Sequence, residues 1–389
     1  MTTTTEPPRA TAAPAPARPI SPGPARRRLL TDLDHPGEVL RHVTPNWFAA
    51  VRGTGIVANA AATLPLQTPA LHALALAVWA LASALLVTVA LAFAAHWSRH
   101  RQQARAYAHD PVMSQFYGAP AMALLTVGAG TQLVGEGVLG RGLALAVFGT
   151  LWVAGTALGL ATSLWVPFRM ITAHDHDTAV ALPAWLMPIV PPMVSASTGA
   201  LLLAHVPAGQ ARLTMLLGLY GLLGMSLVIG LLTLAMVYGR LVHSGPPPVQ
   251  AAPTVWITLG MVGQSITAAN LLGTQARIVV DARTAFGLHV AGVAYGAVMA
   301  GFAVLLVSLA TALTVHAARR GLRFSLAWWS FTFPVGTLVT GLSDWGTAAG
   351  ARPVQDLATA LFGVLLLAWL TVATRTARAT KSGSVFLPG

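Results

Sequence analysis

Residues 324–340 read FSLAWWSFTFPVGTLVT. The stretch carries no formal charge, yet it is not a plain lipid-facing helix. It holds Ser325, Ser330, Thr332, Thr337 and Thr340, with Pro334 and Gly336 among them. A helix in hydrocarbon must satisfy its own backbone, and Pro334 removes one bond and bends the chain. Such a segment suits a wall that faces protein or a water-filled path. Phe331 and Phe333 stand just before the proline. The stretch therefore reads as one wall of a pore with an aromatic side chain at its narrowest point.

Composition places this wall in a membrane. Of 389 residues, 55% are hydrophobic and 9% charged, where soluble domains carry about 25% charged residues. Mean hydropathy is +0.67. There is no cysteine, which excludes disulfides and thiolate metal sites. The net charge of +12 is almost wholly arginine, with Lys381 the one lysine. In a soluble protein that balance would suggest nucleic acid. Here the arginines fall at the ends of apolar segments, so they report topology and no nucleic-acid partner is expected. Scarce carboxylates favour an anion over a cation as cargo.

Ten apolar segments follow one another near 45–63, 70–97, 113–135, 141–165, 184–206, 212–240, 254–273, 284–317, 324–346 and 353–376, each roughly long enough to span a bilayer. Counted over the connections, 17 Lys and Arg lie on the side of both tails and 5 on the other, with Arg52 inside a span. The positive-inside rule puts both termini in the cytoplasm. The odd segments carry proline, glycine and small polar residues, whereas the even ones are long Leu/Ala/Val runs. The expected fold is an all-α polytopic membrane protein of ten transmembrane helices. They form five helical hairpins around a central pore, odd helices inside and even helices toward lipid or a neighbouring subunit. Close packing of small residues is the competing explanation for the glycines. Residues 1–44 read as a disordered cytoplasmic tail with an interfacial helix over 31–44. Residues 45–376 are the transport domain, and 377–389 a short cytoplasmic tail. No signal peptide is expected.

An anion in a pore needs partial positive charge without a trap. Helices interrupted at Pro120, Pro191 and Pro334 can present backbone N–H groups at mid-membrane, and hydroxyls and amides add donors. Thr54, Ser195, Thr198, Gln264, Ser265 and Thr337 are the candidates. Each hydroxyl competes with a bond to its own i−4 carbonyl. No catalytic residues, cofactor or metal are expected. The His174, Asp175, His176, Asp177 cluster lies in a cytoplasmic loop with nothing to complete a shell. Histidines elsewhere fall near span ends and are not paired at mid-membrane as a haem would require. Glu136 and Asp344, near outer span ends, are the candidates for proton coupling.

Several blocks together carry a family likeness. PNWFAAVRGTGIVANA (45–60), DPVMSQFYGAP (110–120), WLMPIVPPMVSASTGALL (185–202), WITLGMVGQSITAANLLG (256–273) and FSLAWWSFTFPVGT (324–337) resemble the tellurite-resistance/dicarboxylate transporter family. That family includes tellurite-resistance proteins, malate permeases, sulfite efflux pumps and plant slow anion channels. The resemblance implies a homotrimer with one pore per subunit, and a phenylalanine on the ninth helix that plugs the pore. The SFTFP block assigns that role to Phe333, with Phe331 as runner-up. Arg52 departs from the family, whose members usually have an uncharged residue there. It reads either as a positive charge at the inner pore mouth that concentrates anions, or as a side chain snorkelling to the cytoplasmic interface. The expected function is an anion channel or transporter in the plasma membrane, for C4-dicarboxylates such as malate or for small anions. Efflux of sulfite or tellurite is the alternative. A membrane-embedded redox protein or enzyme is the rival of another class. The expected partners are the small anion, the lipid bilayer and identical subunits.

Overall fold

The computed structural model describes residues 36–173 and 181–386. Residues 1–35 of the tail expected over 1–44, the His174, Asp175, His176, Asp177 cluster and residues 387–389 lie outside the described residues. Among the described residues every regular element is helical. In chain order the α-helices are α1 (Phe48–Thr63), α2 (Pro69–Arg99), α3 (Arg101–His109), α4 (Gly118–Gly130), α5 (Glu136–Leu139), α6 (Arg141–Ala173), α7 (Pro191–Ala200), α8 (Gln210–Ser244), α9 (Ile257–Gln275), α10 (Ala282–Arg319), α11 (Phe333–Ala348) and α12 (Arg352–Ser382). A π-helical turn, Thr131–Gly135, joins α4 to α5.

Two kinds of helix follow from two kinds of sequence. The Leu/Ala/Val runs give α2, α6, α8, α10 and α12, each between 31 and 38 residues long. Their most apolar stretches are only 22–33% buried within the chain, so the hydrophobic surface is turned outward. The segments rich in Pro, Gly and hydroxyls are turned inward: in α7 and α9 nearly every residue is buried. Each inner segment packs against the long helix that follows it, α1 on α2, α4 on α6, α7 on α8, α9 on α10 and α11 on α12. Short connections make each such pair antiparallel. The inner segments also touch in a closed ring, in the order α1, α4, α7, α9, α11 and back to α1.

Seven stretches are long and apolar enough to cross a membrane. They are the five outer helices together with Met113–Leu139 and Val249–Ile278. Helices α1, α7 and α11, with 16, 10 and 16 residues, fall short of that length, and all three belong to the inner ring. All five inner segments share one kind of start. Each opens with a 3₁₀ turn before its α-helix: Pro45–Trp47, Met113–Tyr117, Pro183–Leu186, Val249–Trp256 and Leu326–Phe331. Proline is tolerated in a first turn because it lacks the N–H that would be unpaired there. The backbone left over is buried by protein, the condition for irregular structure at membrane depth.

The stretch 324–346 accordingly differs from the single bent helix expected of it. The chain breaks at Thr332 (φ −100°, ψ −67°), and Pro334 starts α11 in place of kinking it. Pro167 lies inside α6, which runs past the expected end near 165. Between the first two hairpins a surface helix, α3, buries Ala104 and Ala108. Two helices hold the N-terminal turn Pro36–His42: His42 Nδ1 meets the Tyr107 hydroxyl of α3 at 2.7 Å, and His96 Nδ1 of α2 meets the Leu40 carbonyl at 2.9 Å. Glycine lets the inner helices touch backbone to backbone. A Cβ at Gly263 would stand 2.5 Å from the Leu338 nitrogen, and one at Gly53 2.7 Å from the Trp329 ring.

Candidate functional site

Two cavities lie inside the ring, one above the other along the helices. The first, about 70 Å³, is lined by the later residues of each inner segment, among them Asn59, Thr126, Thr198, Gln264, Thr340 and Asp344. The second, about 10 Å³, is lined by earlier residues of the same segments, including Arg52, Met122, Met187, Ile257 and Pro334. Phe333 is the single residue that lines both. Its side chain is 2% exposed. The smaller space holds about one water by volume.

The two sides of Phe333 differ in chemistry. The larger cavity is uncharged apart from Asp344, whose Oδ2 is buried without a hydrogen-bond partner. Its amides are tied to neighbours: Asn59 Nδ2 donates to the Thr126 carbonyl at 3.1 Å, and Gln264 Nε2 donates to Ser197 Oγ. Thr267 and Thr340 meet hydroxyl to hydroxyl at 3.0 Å. On the other side, Arg52 is 3% exposed. Its guanidinium lies over the Phe333 ring, Cζ to centroid 4.5 Å. The snorkelling alternative does not describe this side chain, which folds against Phe333 in the interior.

Of the residues singled out from sequence, Arg52, Thr198, Gln264, Phe333 and Pro334 line the two cavities. Thr54, Pro120, Pro191, Ser195, Ser265 and Thr337 do not. Thr54 accepts from Trp369 Nε1 at 3.2 Å. Ser195 donates to the Pro191 carbonyl at 3.2 Å, Ser265 to Val262 at 2.8 Å and Thr337 to Pro334 at 2.7 Å. Thr198 makes the same kind of bond, to Val194 at 2.7 Å. The hydroxyls are therefore largely spent on their own helices. Phe331 sits in the 3₁₀ turn, edge-on to Trp256 and Trp328 with centroids 5.8 and 5.6 Å away, outside both cavities.

Sequence reasoning missed Asn59, Thr63, Thr126, Ser197, Thr267 and Thr340 as lining residues. A signal was present. Arg52, Ile56, Asn59 and Thr63 run i, i+4, i+7, i+11 along α1, and Phe333, Thr340 and Asp344 keep the same phase along α11. A single helical face was there to be read. A third cavity, about 400 Å³, lies between α8 and α10 on the outside of the ring and is lined mainly by Leu, Val and Ala, with Tyr238, Thr258 and Phe302 and no charged residue. It offers an anion nothing and belongs to the lipid-facing surface. Among the described residues no group of three His, Cys, Asp or Glu could hold a metal ion.

A family model described as SLAC1, voltage-dependent anion channel, matches residues 42–377. An uncharacterized transporter of Methanocaldococcus jannaschii is 27% identical over 351 residues, covering 90% of this chain and 96% of the relative. Proteins named sulfite efflux pump SSU1 are similar at comparable levels. That of Arthroderma otae is 27% identical and that of Trichophyton rubrum 25%, each over 338 residues covering 84% of this chain and 88% of the relative.

Proposed function

Because the chain belongs to the voltage-dependent anion channel (SLAC1) family, we propose that it is a plasma-membrane anion transporter whose path is closed by Phe333. One observation carries this reading: Phe333 alone lines both cavities inside the ring. A ring of that size occludes a path sterically and keeps it dry, and a change of its χ1 joins the two spaces. The hairpin pairs supply ten membrane-crossing segments with both tails in the cytoplasm, supported by the excess of Lys and Arg on that side. The outer helices face lipid and, in a homotrimer, the neighbouring subunits.

Sulfite is the cargo we favour, on the names of the similar efflux pumps. The lining supports a small oxyanion over a four-carbon diacid such as malate, because one guanidinium and no second cation line the two cavities. The hydroxyl and amide donors that line the larger cavity are largely hydrogen-bonded within the protein. An anion is thus met by dipoles too weak to trap it, which is what conduction requires.

The test is anion flux in proteoliposomes, wild type beside Phe333→Ala, with sulfite, malate, chloride and nitrate in turn. The alanine variant should conduct at least about tenfold faster, equivalent to about 1.4 kcal/mol of barrier. Sulfite should pass faster than malate. Equal flux in the two proteins would place the barrier elsewhere and sink the reading of Phe333 as the gate.

A further inference from the structure

The Arg52 guanidinium is a buried cation without a counter-ion. One nitrogen, Nη2, reaches Met187 Sδ at 3.4 Å, and a thioether is a weak acceptor. Nε is buried and has no partner. Asp344, the one carboxylate near the path, lines the far cavity, and no acidic group lines the one that holds Arg52. The remaining walls there are Met122, Val190, Ile257, Gly260, Met261 and Pro334, none of which carries a negative charge. What stabilises the charge is the face of the Phe333 ring, 4.5 Å from Cζ. A ring quadrupole is a poorer partner for a desolvated cation than an anion is. The planar fork of an arginine suits an oxyanion, which it can hold through two parallel N–H bonds, better than it suits a halide.

We propose that Arg52 is an oxyanion-binding subsite that also latches the gate. With no anion present the guanidinium stacks on Phe333 and holds the ring across the path. A small oxyanion such as sulfite pairs with the guanidinium, draws it off the ring and frees Phe333 to turn. The cargo thus undoes the contact that bars it. This inference rests on the reading of Phe333 as the plug. It adds to that reading the ligand class and the trigger.

The experiment combines flux with binding. Proteoliposomes would hold wild type, Arg52→Met, Phe333→Ala and the double variant, with sulfite and chloride as probes. In detergent, the melting temperature of each would be followed at rising sulfite and, at matched ionic strength, rising chloride. The latch predicts that sulfite raises the wild-type melting temperature more than chloride does, and that Arg52→Met abolishes the difference. It predicts that Arg52→Met raises chloride leak severalfold when Phe333 is present and leaves it unchanged when Phe333 is already alanine. It also predicts that the sulfite-to-chloride flux ratio falls in Arg52→Met. Arg52→Lys keeps the charge without the planar fork, and should retain chloride flux while losing the sulfite preference. If Phe333→Ala speeds flux and Arg52→Met acts equally in both backgrounds, the latch is wrong and the plug stands. If Phe333→Ala changes nothing, the plug is wrong and the latch goes with it. A sulfite shift that survives in Arg52→Met moves the subsite elsewhere.

Discussion

Arg52 and Asp344 are the ionisable side chains that line the cavities flanking Phe333, and they stand on opposite sides of it. An anion crossing the ring by the proposed path would be attracted on one side and, where Asp344 is ionised, opposed on the other. The opposing group is open to a direct test, because the Asp344 Oδ2 has no hydrogen bond to lose. A unit charge some 10–15 Å from the anion changes its energy by about 1–2 kcal/mol at an effective dielectric near 20. Asp344→Asn should therefore raise the flux of a small anion by about threefold to tenfold at neutral pH, with little change in melting temperature. Stopped-flow flux in liposomes reads the first quantity and a thermal melt the second. Unchanged flux would mean that the carboxyl carries a proton while the anion passes, and would make Asp344 the place to look for proton coupling.

At the scale of the element, the closed ring depends on helices that approach more closely than side chains normally allow. Gly263 on α9 faces the backbone of α11, where a Cβ would meet the Leu338 nitrogen at 2.5 Å and the Thr337 carbonyl carbon at 2.6 Å. Gly263→Ala should cost about 1–3 kcal/mol, the usual penalty of overpacking a filled interior. It should also disturb flux, because α9 carries Gln264 and α11 carries Phe333. Gly301→Ala on α10, where a Cβ meets nothing within 4 Å, is the matched control and should be neutral or slightly stabilising. A thermal melt of both variants in one detergent decides it; equal melting temperatures would mean that α9 and α11 can part without cost. The same contact explains what the sequence could and could not say. The hairpins were legible because two kinds of segment alternate: apolar runs such as 70–97 turn outward, and Pro/Gly/hydroxyl segments such as 256–273 turn inward. The site was half legible. Phe331 and Phe333 both stand before Pro334, and only the family resemblance prefers Phe333; Arg52 stands out as a charge inside a span. Ser265 and Thr337 stand out by their hydroxyls, yet Ser265 lies 100° around the helix from Gln264 and donates to the Val262 carbonyl. Picking the right neighbour needed the phase of the helix, which Arg52 and Phe333 set but composition does not. The break at Thr332 was hidden, because a proline in a span reads equally as a kink or as a first turn.

For the whole molecule, the direction in which the path faces decides what the arginine is for. The inner segments run the same way through the ring, so the cavity of Arg52 lies toward their N-terminal ends and that of Asp344 toward their C-terminal ends. If the positive-inside count holds, the N-terminal ends face the cytoplasm. A cytosolic anion would then meet the guanidinium first and reach the ring from that side, with the Asp344 carboxylate the barrier on the exit side. That polarity concentrates anions at the cytoplasmic face of the gate. The chain carries no cysteine, so single cysteines report topology without background. Gln102→Cys, exposed on α3, and Ala349→Cys, exposed in the turn between α11 and α12, lie on opposite ends of the bundle. A membrane-impermeant maleimide applied to intact cells should label Ala349→Cys and spare Gln102→Cys, with the pattern reversed in inside-out vesicles. Should the labelling come out the other way round, Arg52 would face outward, and the same field would concentrate anions at the outer face of the gate.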